Sequence, residues 1–412
     1  MKNTFLQEMK ERGYLNQCTD FDKLGDITHK KSISGYIGFD CTASSLHVGS
    51  LLQIMILRLM QKHGHRPIVL LGGGTTLIGD PSGKDSTRKI LDKKIINKNI
   101  KSIKKVFNKM LETSNKKISP IFVDNSKWLT KLNYIQFLRD IGSHFTINKM
   151  LTFDSVKLRL EREQSLSYME FNYMILQAYD FYQLFKNNKC ILQIGGSDQW
   201  GNIVNGVDLI RRILKKEAFG LTSPLITLAS GAKMGKTEKG AIWLNEEQLS
   251  PYEYWQFWRN ADDRDVKRFL NFFTDINPEK INDLLKKETN INNIKILLAN
   301  EATKILHGEE ASKKAEKTAK DTFEKKGFGS DLPEIRIKLK KIEKGIDILS
   351  FVSENNILPS KSEARRAIAN KGLKIDDIAI EDEKKILQLK DFRKNILKIS
   401  FGKKKHYIVK II

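Results

Sequence analysis

Five short apolar runs punctuate the first 230 residues, at Tyr36–Phe39, Ile68–Leu71, Ile118–Val123, Ile191–Ile194 and Leu225–Leu228. Each has the length of a buried strand. Between them apolar residues recur at helical spacing, as Leu51, Leu52, Met55 and Leu59 do after Val48. Strands alternating with helices predict an α/β fold, a parallel sheet with helices on both faces, in which ligands bind at the carboxyl ends of the strands. Asp40, Gly72–Gly74, Asp124-Asn125 and Gly195-Gly196 all fall at such ends.

The pattern changes along the chain. Residues 124–180 read as a mostly helical insertion between the halves of the sheet, so the first domain spans about 1–230. Residues 231–326 read as a glycine-containing loop followed by a helical domain. Its aromatic run Tyr252-Glu253-Tyr254-Trp255-Gln256-Phe257-Trp258 suits a packed core better than a platform for stacking bases. Lys325-Lys326-Gly327-Phe328-Gly329-Ser330 opens a stretch read as a linker over 327–343. In 344–412, Ser360 and Glu363 form a capping box before Ala364, Ala367 and Ile368, and Asn370-Lys371-Gly372 stops that helix. A hairpin closes the chain, Leu397–Phe401 against Tyr407–Ile411. No internal repeat stands out.

Composition adds limits. A chain of 412 residues can build two or three domains with real cores, and no run of about 18 apolar residues is present to cross a membrane. Charge near the N-terminus, where a signal peptide needs an apolar stretch, leads to the expectation of a cytoplasmic protein. Cys18, Cys41 and Cys190 are odd in number and widely spaced, and read as reduced thiols. The net charge of +23 fits a polyanionic partner and fits equally a lysine-rich composition from an AT-rich genome. Residues 344–412 carry 16 Lys and Arg against 9 Asp and Glu.

Candidate chemistry lies in two short segments. His47-Val48-Gly49-Ser50 opens a helix after a strand, where free backbone N–H groups and the helix dipole favour bound phosphate. The His47 imidazole can donate to a phosphate oxygen, and Gly49 leaves room for an adenine ring. Lys233-Met234-Gly235-Lys236-Thr237 sits in a polar, glycine-containing loop. Two such jaws suit one polyphosphate and point to ATP-dependent nucleotidyl transfer. Tyr173, Gln177 and Asp180 stand at i, i+4 and i+7, and so project from one face of one helix.

Together with Gly35–Asp40, Leu71–Gly74, Gly79–Lys84, Glu170–Tyr173 and Gln193–Asn202, these segments make the chain resemble the class I aminoacyl-tRNA synthetases. Within that class it is most similar to the bacterial-type tyrosyl family, from about Leu24 to the C-terminus. The resemblance implies a Rossmann-like sheet with a helical insertion, an α-helical domain and a small α+β S4-like RNA-binding tail. It implies a tyrosine site in which Tyr36 donates to the substrate hydroxyl and Asp180 accepts from it. Tyr173, Gln177, Asp80, Asn125 and Gln199 would lie toward the substrate ammonium. ATP would meet Gly38, Asp40, His47, Gly49, Ser50, Gly196, Asp198 and Lys236. Thr42 and His47 would stabilise the departing pyrophosphate from one side, and Lys84, Arg88, Lys233 and Lys236 from the other, with Mg2+ on the phosphates. The expected partners are L-tyrosine, ATP, a tRNA reached by Arg211 and Arg212, and a second copy of the chain, with Tyr168 at the dimer face.

The sequence departs from the family pattern at three places. Ser50 stands in place of a histidine, Ile37 in place of a common cysteine, and Cys41 where proline is frequent. A tryptophanyl sister enzyme and a non-catalytic RNA-binding relative are the rival readings. The first would not be expected to pair Tyr36 with Asp180, and the second would not be expected to keep His47, Asp80, Asp180, Asp198, Lys233 and Lys236.

Overall fold

The computed structural model describes residues 4–80, 91–231, 234–237, 240–324, 332–393, 395–402 and 405–412. The chain divides into two compact units, one of Met1–Lys236, Ala241–Gln248 and Asp262–Ile294, the other of Thr237–Gly240, Leu249–Ala261 and Lys295–Ile412.

The first unit is built on a six-stranded sheet of β1 (Gln17–Cys18), β2 (Ser34–Phe39), β3 (Arg66–Leu71), β4 (Ile121–Asp124), β5 (Cys190–Gly196) and β6 (Phe219–Ser223). The strand order is β1-β6-β5-β2-β3-β4, all parallel except β1. The order reverses between β2 and β5, which opens the crevice that ligands of such sheets occupy. Helices Tyr168–Asn188 and Trp200–Leu214 pack on each other, and Tyr36, Ile68, Leu70, Phe181, Leu184 and Ile210 form one buried cluster. Ser167 and Glu170 start the first of these helices with a reciprocal capping box.

One expected strand is misplaced. Leu225–Leu228 is not a strand, and the sixth strand is Phe219–Ser223, which ends at the residue before Pro224. Its fully buried Thr222 and Ser223 break the apolar run, yet their hydroxyls accept from Asn16 Nδ2 at 3.2 Å and Gln53 Nε2 at 2.7 Å. Pro224 lacks the N–H that would continue the ladder. The region 124–180 is helical as expected, with short helices before Tyr168–Asn188.

The expected helical domain over 231–326 is split. Residues 262–294 belong to the first unit, where Arg12 donates to the carbonyls of Asn271 and Thr274 and Tyr14 Oη to that of Phe272 at 2.8 Å. In the second unit Trp255 and Trp258 are buried, and Trp255 Nε1 donates to Asn300 at 2.7 Å, so the aromatic run is core. The stretch 327–343 is not a plain linker. Glu334–Ile337 pairs in parallel with Lys405–Ile411, and a helix follows over Leu339–Glu343. The tail sheet therefore begins ten residues before 344. The expected hairpin is present as Ile396–Phe401 against Lys405–Ile411, and the capped helix runs Lys361–Ala369.

Candidate active site

A cavity of about 560 Å³ opens over the carboxyl ends of β2 and β5 in the first unit. Its lining includes the tyrosine candidates Tyr36, Asp80, Asn125, Tyr173, Gln177, Asp180 and Gln199, with Gly38, Asp40, Thr42, His47, Gly49, Ser50, Gly196 and Asp198. Lys236 lies in the strand Lys236–Thr237. Lys84, Arg88 and Lys233 lie outside the described residues.

The closed end is set by Asp180, one per cent exposed. Asn125 Nδ2 donates to its Oδ2 and Trp128 Nε1 to its Oδ1, each at 2.8 Å. Burial pushes its carboxyl up to about 7, and the bonds from Asn125 and Trp128 pull the other way. The buried Tyr36 hydroxyl has no hydrogen-bond partner, and burial and then Asp180 raise its phenol well above the usual range. A buried O–H without a partner costs about 1–3 kcal/mol, which a bound group offering an acceptor would return. A hydroxyl that both donates and accepts satisfies Asp180 and Tyr36 together.

Asn125 is placed differently from the expectation that it completes the end beside Asp80. Its Oδ1 accepts from the Gly74 N–H at 2.7 Å, and its Nδ2 donates to Thr75 at 3.0 Å and to Asp180. Asn125 thus holds the carboxylate at the closed end. Trp128, one helical turn further on, was not singled out in the sequence, and only its spacing from Asn125 could have signalled it. Farther out, Gln199 Nε2 donates to Asp80 Oδ2 at 3.1 Å, and Tyr173 Oη reaches Asp40 at 3.5 Å. Asn202 donates to both Gln177 and Gln199.

The two signature segments touch. The backbone of Leu46–Val48 pairs with Ile242–Leu244 through Val48 N–H to Ile242 at 2.9 Å and Leu244 N–H to Leu46 at 2.9 Å. His47 Nδ1 accepts from the Gly49 N–H at 3.0 Å, which leaves the ring proton on Nε2 as its donor. A Cβ on Gly49 would lie 2.9 Å from the Met234 carbonyl, and one on Gly235, at φ +93°, would lie 2.6 Å from His47 Nδ1. Only glycine permits this approach. Cys41 is buried, and burial pushes its thiol up to about 12. Its N–H donates to Thr76 Oγ1 at 2.9 Å, a bond that proline could not make.

Arg211 and Arg212 lie outside the cavity. Arg211 pairs with Asp208 at 3.1 Å and Arg212 donates to the His144 carbonyl at 2.8 Å. Tyr168 is exposed, with its hydroxyl 2.8 Å from that of Tyr134.

A crevice at the switch point of a parallel sheet, bordered by two glycine-bearing segments that meet at His47, is the site of a class I tRNA synthetase, and the chain belongs to that family. Residues 28–324 match the family described as tRNA synthetases class I (W and Y). The chain is 60% identical over 410 residues to the tyrosine–tRNA ligase of Pelagibacter ubique, covering 100% of both chains. It is 52% identical over 410 residues to that of Rickettsia massiliae, with 99% of this chain and 100% of the relative covered. A C-terminally truncated mitochondrial tyrosyl-tRNA synthetase from Aspergillus nidulans superposes with a TM-score of 0.70 at 28% identity, over 78% of this chain and 95% of that one.

Proposed function

We infer that this chain is a tyrosine–tRNA ligase that joins tyrosine to ATP as tyrosyl-adenylate, releases pyrophosphate, and transfers the tyrosyl group to the terminal ribose of a tRNA. The observation that carries the choice of tyrosine is the closed end of the cavity, where the partnerless Tyr36 hydroxyl and the buried Asp180 carboxylate stand ready for a phenol. Phenylalanine would leave the Tyr36 hydroxyl without a partner and would bring Asp180 no donor beyond Asn125 and Trp128.

The chemistry needs no protein nucleophile. The substrate carboxylate attacks the α-phosphorus, an oxygen–phosphorus bond forms, and pyrophosphate leaves with the electron pair. Rate comes from alignment and from stabilising charge on the leaving group. Asp80 and Tyr173 hold the ammonium, and Gly196 and Asp198 the ribose. His47 Nε2–H and Thr42 donate to the phosphates, and Ser50 offers a hydroxyl toward the ribose region. Lys84, Arg88, Lys233 and Lys236 supply the opposing cations. Mg2+ would accompany the ATP phosphates and neutralise part of their charge. No helix among the described residues is long and apolar enough to cross a membrane, and the reading places the chain in the cytoplasm. For tRNA, Arg211 and Arg212 meet the acceptor arm, the S4-like tail grips phosphates, and the insertion pairs two copies.

Asp180→Ala tests the pocket. It should collapse the discrimination between tyrosine and phenylalanine in ATP–pyrophosphate exchange, and an unchanged ratio would contradict the assignment.

A further inference from the structure

Asn202, on the Trp200–Leu214 helix and 4% exposed, joins two arms of the pocket without lining it. Its Nδ2 lies 3.0 Å from Gln177 Oε1 and 3.0 Å from Gln199 Oε1, and Gln199 Nε2 lies 3.1 Å from Asp80 Oδ2. An amide taken alone can face either way. This chain has one consistent direction, because it ends on a carboxylate that only accepts. Gln199 must turn its NH2 to Asp80, and its carbonyl then faces Asn202. Asn202 must answer with its own NH2, and that same NH2 requires a carbonyl from Gln177. The NH2 of Gln177 is thereby turned away from Asn202.

We propose that Asn202 is a positioning residue that fixes the polarity of both glutamines at the ammonium end of the tyrosine site. Through Gln199 it keeps a donor on Oδ2 of Asp80 and so helps fix the orientation of that carboxylate. Through Gln177 it determines which end of that amide the pocket presents. Sequence spacing could suggest the i, i+3 pair of Gln199 and Asn202 but not the link to Gln177, which comes from the separate helix Tyr168–Asn188. The proposal rests on the tyrosine-activation reading.

The decisive variant is Asn202→Asp, equal in shape and unable to donate when ionised. The introduced carboxylate would demand the NH2 of both glutamines, so Gln199 would release Asp80 and Gln177 would reverse. The KM for tyrosine in ATP–pyrophosphate exchange should rise about tenfold, equivalent to ~1.4 kcal/mol. The KM for ATP should stay within about twofold, as expected for a loss confined to the amino-acid site. The preference for tyrosine over phenylalanine should persist, because Tyr36 and Asp180 are untouched. Asn202→Ser, whose one proton serves only one glutamine, should fall between, and it carries the test if the first variant does not fold. A tyrosine KM at the wild-type value in Asn202→Asp would overturn the proposal, and so would tyrosine and ATP constants rising together. Wild-type protein inactive with tyrosine would instead overturn the underlying functional reading.

Discussion

A carboxyl group raised to about 7 from an ordinary 3.8 is a proton-binding site in the folded protein, so Asp180 links pH to both stability and substrate. Its folded value lies above its unfolded one. The folded state therefore binds the extra proton, and the stability this group contributes to the free protein is present below the unfolded value and lost as pH rises through about 7. Tyrosine reverses the preference, because its phenol O–H donates to the ionised form. The kcat/KM for tyrosine should fall as pH drops below about 7, since that ratio reports the free enzyme's titration. Asp180→Asn should abolish this limb. An identical profile in the variant would assign the limb to another group. At this scale the sequence was informative where a motif fixed spacing on one element: Tyr173, Gln177 and Asp180 do share the face of one helix toward the cavity. It was silent where a side chain acts by reaching across elements. Asn125 was grouped with Asp80 on the family resemblance, and only the fold shows its amide spent on Gly74, Thr75 and Asp180.

Elements were legible in proportion to how far burial wrote itself in apolar letters. Strands β2, β3 and β5 coincide with expected runs because both faces of a central parallel strand are covered. Strand β6 was missed because Thr222 and Ser223 are buried as hydrogen-bonding polar residues. Gly49 had a reason legible in the sequence, room for an adenine ring, while that of Gly235 became visible only where it lies against His47 and Gly49. The insertion carries the opposite anomaly, large apolar residues left in solvent. Ile135 is 71% exposed and Ile147 61%, with Leu158, Leu160, Tyr134 and Tyr168 also exposed on helices of the same region. An accumulation of that kind marks a protein–protein face, and a second copy is the partner that the dimer proposal requires. Ile135→Glu should shift the protein from dimer to monomer in sedimentation velocity while leaving the fold intact. A wild-type protein that sediments as a monomer at micromolar concentration would contradict the proposed pairing.

At the scale of the whole molecule, division into units was harder to foresee than fold class. The linker over 327–343 was inferred from glycine and lysine content, yet Glu334–Ile337 is a strand of the tail sheet, and Ile337 from that strand and Ile342 from the helix Leu339–Glu343 are buried in the tail core. This parallel strand pairs with residues 74 positions later, Glu334 with Ile408 and Ile337 with Ile411, and local composition carries no trace of that. The tail therefore has to be removed from residue 332 rather than 344 to avoid leaving half a sheet. Removal of 332–412 should spare tyrosine-dependent pyrophosphate exchange and reduce tRNA charging, most strongly at high salt, where the remaining phosphate contacts are weakest. Equal charging by the truncated protein would exclude the tail from tRNA binding. That a truncated mitochondrial relative retains a superposable fold makes the truncation a reasonable protein to prepare.

The account turns on an ATP-activating site whose closed end reads a phenol. ATP–pyrophosphate exchange measured in parallel with tyrosine, phenylalanine and tryptophan tests both halves of that statement at once. Exchange with tyrosine and little with the other two is the predicted result. Exchange with tryptophan alone would contradict the reading of Tyr36 and Asp180, and no exchange with any of the three would contradict activation itself.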